Sequence, residues 1–150
     1  MIKTVQNMPK PLNILIIEDN HTDAILLKMA IQEVQMKTQI TISHSIGNAL
    51  SIIFPEKKKK KAYRTLLDII ITDLNFNGLN AFTLIENMQT DPEVKDIPII
   101  CTSIVNDPEI EEKLKVMGIP FVSKAQDIGD YGKQIRSILK KMVKPKLSNM

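Results

Sequence analysis

Six residues that can do chemistry stand at the ends of apolar runs. Glu18 and Asp19 follow "LNILII" (12–17), Asp73 follows "DIIIT" (68–72), Thr102 and Ser103 close "IPIICTS" (97–103), and Lys124 follows "IPFVS" (119–123). Each has a bland role when taken singly. Glu18 and Asp19 would start a helix, Ser103 would serve a turn, Lys124 would be a solvated charge, and Asp73 would open the turn continued by Asn75, Asn77 and Gly78. Gathered in one place, they imply something sharper. Three carboxylates in one pocket repel and raise one another's pKa unless a cation intervenes. A hard divalent ion with oxygen ligands meets that need: Mg²⁺ takes one or two carboxylates, keeps waters and leaves room for a phosphate oxygen. Lys124 supplies a compact positive charge for a carboxylate or a phosphoryl group. Ser103 or Thr102 supplies a hydroxyl, and an aspartate is a competent nucleophile that forms an acyl phosphate.

What brings them together is the rhythm of the chain. Short apolar runs at 12–17, 66–72, 97–102 and 119–123, with the weaker "QITIS" (39–43), read as strands; the continuous runs suit strands covered on both faces. Between them lie helical patterns. Leu27, Ala30, Ile31 and Val34 share one face, with Thr22 or Asp23 as the cap. A short helix at 47–54 ends at Pro55, and Ala81, Leu84, Ile85 and Met88 form another face. The stretch 108–118 opens with Pro and acids and closes with lysines and Gly, the polarity a helix prefers. The last helix carries Ile128, Tyr131, Ile135, Ile138 and Met142. Strand and helix alternate five times, which implies right-handed crossovers and a parallel sheet with helices on both faces. In such a sheet ligand chemistry gathers outside the carboxyl ends of the strands, where all six residues fall.

The composition is that of an ordinary globular domain: 150 residues, 43% hydrophobic and 25% charged. No apolar run reaches the length of a membrane span and the start lacks the features of a secretory signal. The one cysteine, Cys101, sits in an apolar run and points to a buried thiol in a reducing cytoplasm. The net charge of +3 is unevenly placed: Lys57 to Lys61 with Lys140, Lys141, Lys144 and Lys146 hold nine positive charges, leaving −6 elsewhere. Aromatics are 4% of the chain, so two basic segments without aromatic partners argue against nucleic-acid binding. The lysine run within 56–64 reads as an exposed insertion before the central strand.

The segments "ILIIEDN", "DIIITDLNFNG", "IPIICTS" and "FVSK" together resemble the receiver domain of bacterial two-component response regulators, over about residues 12 to 142. The opening "IIEDNHTDAILLKMAI" is further similar to stand-alone receivers related to those working with bacterial phytochromes. The resemblance implies a flavodoxin-like (βα)5 fold, doubly wound, with a five-stranded parallel sheet in the order 2-1-3-4-5. Residues 1–11 would be an extension and 143–150 a tail. It implies Asp73 as phosphoacceptor, with Ser103 and Lys124 assisting. Mg²⁺ would be held by Asp19, Glu18 (through a water), Asp73 and the backbone carbonyl of Asn75. Ser103 and Phe121 would be the switch pair.

The partners implied are a sensor histidine kinase or a histidine phosphotransfer protein, and a downstream protein target. The implied signalling surface, and the face for a homodimer, lies on the fourth helix, fifth strand and fifth helix. No membrane or nucleic-acid partner is expected. Four positions depart from the family: Asn77 and Ala125 replace its usual Pro, Ala81 its Gly and Ile104 its Ala. With no proline after Lys124, a cis bond there is not expected.

Other readings of the same residues differ in what they require. A haloacid dehalogenase-type phosphatase needs a second Asp two residues after the first, where this chain has Asn75. A dinucleotide-binding enzyme needs a Gly-rich turn after the first strand, which is absent. A docking module of the receiver fold that is never phosphorylated needs none of the acidic set. The expectation is therefore a phosphorylated signalling domain, not an enzyme acting on other molecules.

Overall fold

Ile69, Ile70 and Ile71 lose essentially all contact with solvent, which a strand achieves only when both of its faces are covered. They open β3 (Ile69–Asp73), the middle of a five-stranded parallel sheet that also contains β1 (Leu12–Ile17), β2 (Thr38–Ser43), β4 (Ile99–Ser103) and β5 (Phe121–Ser123). The computed structural model describes residues 5–6, 11–55, 67–76 and 79–144. The strands lie in the order β2-β1-β3-β4-β5, as expected. β2 is an edge strand and its burial alternates along its length. The lysine run within 56–64 and Asn77 lie outside the described residues.

Among the described residues five helices cover the sheet: α1 (His21–Gln32), α2 (Ile46–Ile53), α3 (Phe82–Thr90), α4 (Pro108–Val116) and α5 (Ile128–Met142). Leu84, Ile85, Met88, Ala49 and Leu114 pack α2, α3 and α4 on one face. Leu27, Ile31, Ile135 and Leu139 pack α1 and α5 on the other. Each fully buried Ile contributes roughly 1.5–3 kcal/mol relative to exposure, so these two layers supply the main driving force.

Element ends differ from the sequence reading for local reasons. The cap of α1 is neither Thr22 nor Asp23 but Asn20, whose Oδ1 accepts from Asp23 N at 2.9 Å. β3 begins at Ile69, because the Asp68 carboxylate turns back to accept from Asn13 N at 2.8 Å. β4 begins after Pro98, which has no N–H to donate but whose carbonyl accepts from Ile70 N at 3.0 Å. α4 closes before Gly118, which adopts the left-handed φ of 74° that glycine tolerates; Ile119 N then donates to Leu114 O, so β5 starts only at Phe121.

Among the described residues two short pairings lie outside the main sheet. Val5–Gln6 lies parallel to Val143–Lys144, and Asn75–Phe76 lies antiparallel to Leu79–Asn80 directly after β3. Among the described residues no peptide bond is cis. No described helix is long and apolar enough to cross a membrane.

Candidate functional site

The sheet register decides which strand ends meet. Ile17 pairs with Thr72, Asp73 with Thr102, and Ser103 with Ser123, so β1, β3, β4 and β5 end along one rim. There Glu18, Asp19 and Asp73 each place a carboxylate oxygen within 4.8 Å of the others. Glu18 and Asp73 are buried, at 3% and 6% of full exposure. Lys124 is set among them by its backbone, which donates to Ser103 O at 2.8 Å. Its Nζ donates to Glu18 Oε1 at 2.6 Å, Asp23 Oδ2 at 3.0 Å and Asp73 Oδ2 at 3.1 Å. The other oxygen of Asp73, Oδ1, accepts from Asn75 N at 3.2 Å.

Burial, aided by the nearby charge of Asp73, outweighs the lysine and pushes Glu18 from 4.5 to about 7. Burial by itself would lower the pKa of Lys124, but its bond to Glu18 and the charge of Asp73 hold the ammonium above its ordinary value. The cluster therefore has fewer positive charges than its carboxylates call for. Hard oxygen donors at this spacing fit a divalent ion, which would relieve the strain on Glu18.

Ser103 stands beside this set. Its Oγ accepts from Asn75 Nδ2 at 2.9 Å and from Val105 N at 3.0 Å, joining the turn after β3 to the loop after β4. Thr102 faces the opposite way, toward Tyr131. A cavity of about 50 Å³, lined by Leu74, Ser103, Val105, Ile110 and Phe121, lies next to this junction. Phe121 is half-buried against it. Of the departures from the family pattern, Ala81 is buried, whereas Ile104 is 66% exposed and turns into solvent rather than onto Ser103.

The rim thus unites Glu18, Asp19, Asp73, Asn75, Ser103 and Lys124, with Phe121 behind the hydroxyl. Two further residues join them. Asp23, read from sequence as a cap, reaches Lys124 instead. His44 Nδ1 lies 2.9 Å from the Glu18 carbonyl, so that nitrogen must carry a proton, and its ring stacks on His21 at 3.9 Å. No local pattern in the sequence pointed to either partnership, since both join residues far apart in the chain.

An open, doubly wound α/β sheet with acidic groups at its carboxyl rim defines the broad class. Comparison with known proteins narrows it. No protein-family profile matches the chain. The two-component response regulator ARR6 of Arabidopsis thaliana is 23% identical over 137 residues, covering 89% of this chain and 72% of that protein. The response regulator receiver domain from Rhodospirillum rubrum matches with a TM-score of 0.75 at 17% identity, covering 87% of this chain and 93% of that one. The phosphorylated cyanobacterial phytochrome response regulator RcpA matches with a TM-score of 0.73 at 16% identity, covering 89% and 94%. The Mn(2+)-bound response regulator Rcp1 matches with a TM-score of 0.71 at 17% identity, covering 85% and 91%. The fold is that of a response regulator receiver domain. Because the curated relative is from a plant, the likeness extends beyond bacteria, and the bacterial source that the resemblance implied finds no support in it.

Proposed function

We propose that the chain is a phosphoacceptor signalling domain that takes a phosphoryl group on Asp73 in a Mg²⁺-dependent reaction. The observation that carries this is the Asp73 carboxylate at the sheet rim, 3.1 Å from Lys124 and within 4.8 Å of Glu18 and Asp19. The donor is a sensor histidine kinase or a histidine phosphotransfer protein, in the cytoplasm. An Asp73 oxygen bonds to phosphorus as the donor's bond to phosphorus breaks, and the leaving nitrogen keeps the electron pair. Mg²⁺, held by Asp19, Asp73, the Asn75 carbonyl and, through a water, Glu18, would neutralise the phosphoryl oxygens. Lys124 meets the same oxygens from the other side, and Ser103 offers its hydroxyl proton. The domain catalyses only its own phosphorylation and dephosphorylation.

Incubation with acetyl phosphate and Mg²⁺ should add the mass of one phosphoryl group to the intact protein. No added mass would favour the receiver-fold docking module that is never phosphorylated. Asp19→Asn should still be labelled but should need a higher Mg²⁺ concentration, about tenfold, because it removes one of few charged ligands. An unchanged Mg²⁺ dependence would show that Asp19 is not a direct ligand.

The output would be the surface formed by α4, β5 and α5, read by a downstream protein or by a second copy of the chain. A bond from Ser103 to the phosphoryl group would draw the loop after β4 inward and let the Phe121 ring move into the adjoining cavity, a two-state element that phosphorylation biases. Ser103→Ala should accept phosphate at Asp73 yet show a weaker beryllofluoride-induced change in amide hydrogen exchange over residues 104–124. An equal response from both proteins would remove Ser103 from the coupling role.

A further inference from the structure

Lys124 has three N–H protons and three carboxylate partners, and one of the three has no part in the chemistry set out above. Glu18 and Asp73 belong to the acidic group that fits a metal; Asp23 does not. Its side chain is 40% exposed, against 3% for Glu18 and 7% for Asp73. It stands on the solvent side of the ammonium, in the first turn of α1. Asn20 already caps that helix by accepting from Asp23 N at 2.9 Å, so the Asp23 carboxylate is not needed as a cap. It instead accepts from Lys124 at 3.0 Å, 101 positions away in the chain.

A lysine ends in a compact charge on a flexible four-carbon stem, so one acceptor alone does not fix where its protons point. We propose that Asp23 is a positioning residue for Lys124. Together with Glu18 it holds the ammonium from two sides, leaving the third N–H directed at the Asp73 oxygen and hence at the phosphoryl group that would sit there. When Asp73 is phosphorylated, that N–H passes to a phosphoryl oxygen while Glu18 and Asp23 stay in place. This rests on the phosphoacceptor reading, but its geometric core is independent of it.

Asp23→Asn, Lys124→Ala and the double variant test the idea, each checked for folding by circular dichroism. With acetyl phosphate, Asp23→Asn should label about fivefold more slowly than the parent, with an unchanged Mg²⁺ midpoint, and should change nothing further in the Lys124→Ala background. Asp23→Glu should recover part of the rate. In metal-free protein, solvent exchange of the Lys124 ammonium protons, followed by ¹⁵N NMR, should quicken about fivefold in Asp23→Asn as the charge-assisted bond becomes an ordinary one. A shifted Mg²⁺ midpoint would make Asp23 a metal ligand, and equal slowing in the Lys124→Ala background would make its role general; either overturns the proposal. Parent-like ammonium exchange in Asp23→Asn overturns it as well. If the parent takes up no phosphoryl group, the phosphoacceptor reading fails, and the ammonium exchange still decides whether Asp23 holds Lys124.

Discussion

Asp73→Asn is expected to take up no phosphoryl group at all under conditions that fully label the parent. The carboxylate lies at the end of the central strand with 6% of its surface exposed, and its two oxygens are already aimed by Lys124 on one side and by Asn75 N on the other. An amide of the same shape keeps an oxygen for one of these contacts but loses the charge that makes it a nucleophile. The fold should survive the change, because removing Asp73's charge lessens the repulsion on Glu18 while Lys124 keeps Glu18 and Asp23 as partners. Intact mass after acetyl phosphate treatment, alongside a thermal melt, gives both answers. Full labelling of the folded variant would place the phosphoryl group elsewhere and end the assignment.

Lys124→Ala is expected to be the most destabilising single change at the site. It leaves Glu18 and Asp73, both almost fully buried, without their shared cation, and breaking a buried pair in this way costs about 3 kcal/mol or more. The pH dependence follows from Glu18. In the folded parent its pKa is already raised from 4.5 to about 7, and without the lysine bond it moves further up. Between those values the unfolded chain has lost the proton that the folded chain keeps, so folding stability falls as pH rises. The defect should therefore be small near pH 5 and large at pH 8. Millimolar Mg²⁺ should restore part of the loss at pH 8, since a divalent ion replaces the missing charge. Urea melts at the two pH values, with and without Mg²⁺, measure this. A loss independent of both would come from the packing of the lysine stem rather than from its charge.

The strand ends carrying Glu18, Asp73, Ser103 and Lys124 were legible because each follows an apolar run, and parallel pairing brings such ends to one rim. The sheet order came from the resemblance to receivers, not from the runs themselves. What sequence could not show were partnerships made across the fold. Asp23 reads locally as a helix-starting acid, and only the arrival of β5 beside β4 gives it Lys124. Asn75 was expected to contribute a carbonyl; what the structure adds is its side chain, which bridges to Ser103 across 28 positions, and no local pattern encodes that. The start of β3 was set by the Asp68 carboxylate folding back on Asn13, again a contact between distant residues.

Cys101 lies in the middle of β4, wholly buried, and burial together with the charge of Asp73 pushes its thiol far above the ordinary range. Such a sulfur reacts with an alkylating reagent only when the centre of the sheet parts. It is also the chain's single cysteine. Its alkylation rate is thus an internal gauge of opening that needs no added probe. A variant that merely rearranges the acidic rim would keep the parent's rate, whereas one that loosens the whole domain would speed it about tenfold for each ~1.4 kcal/mol of stability lost.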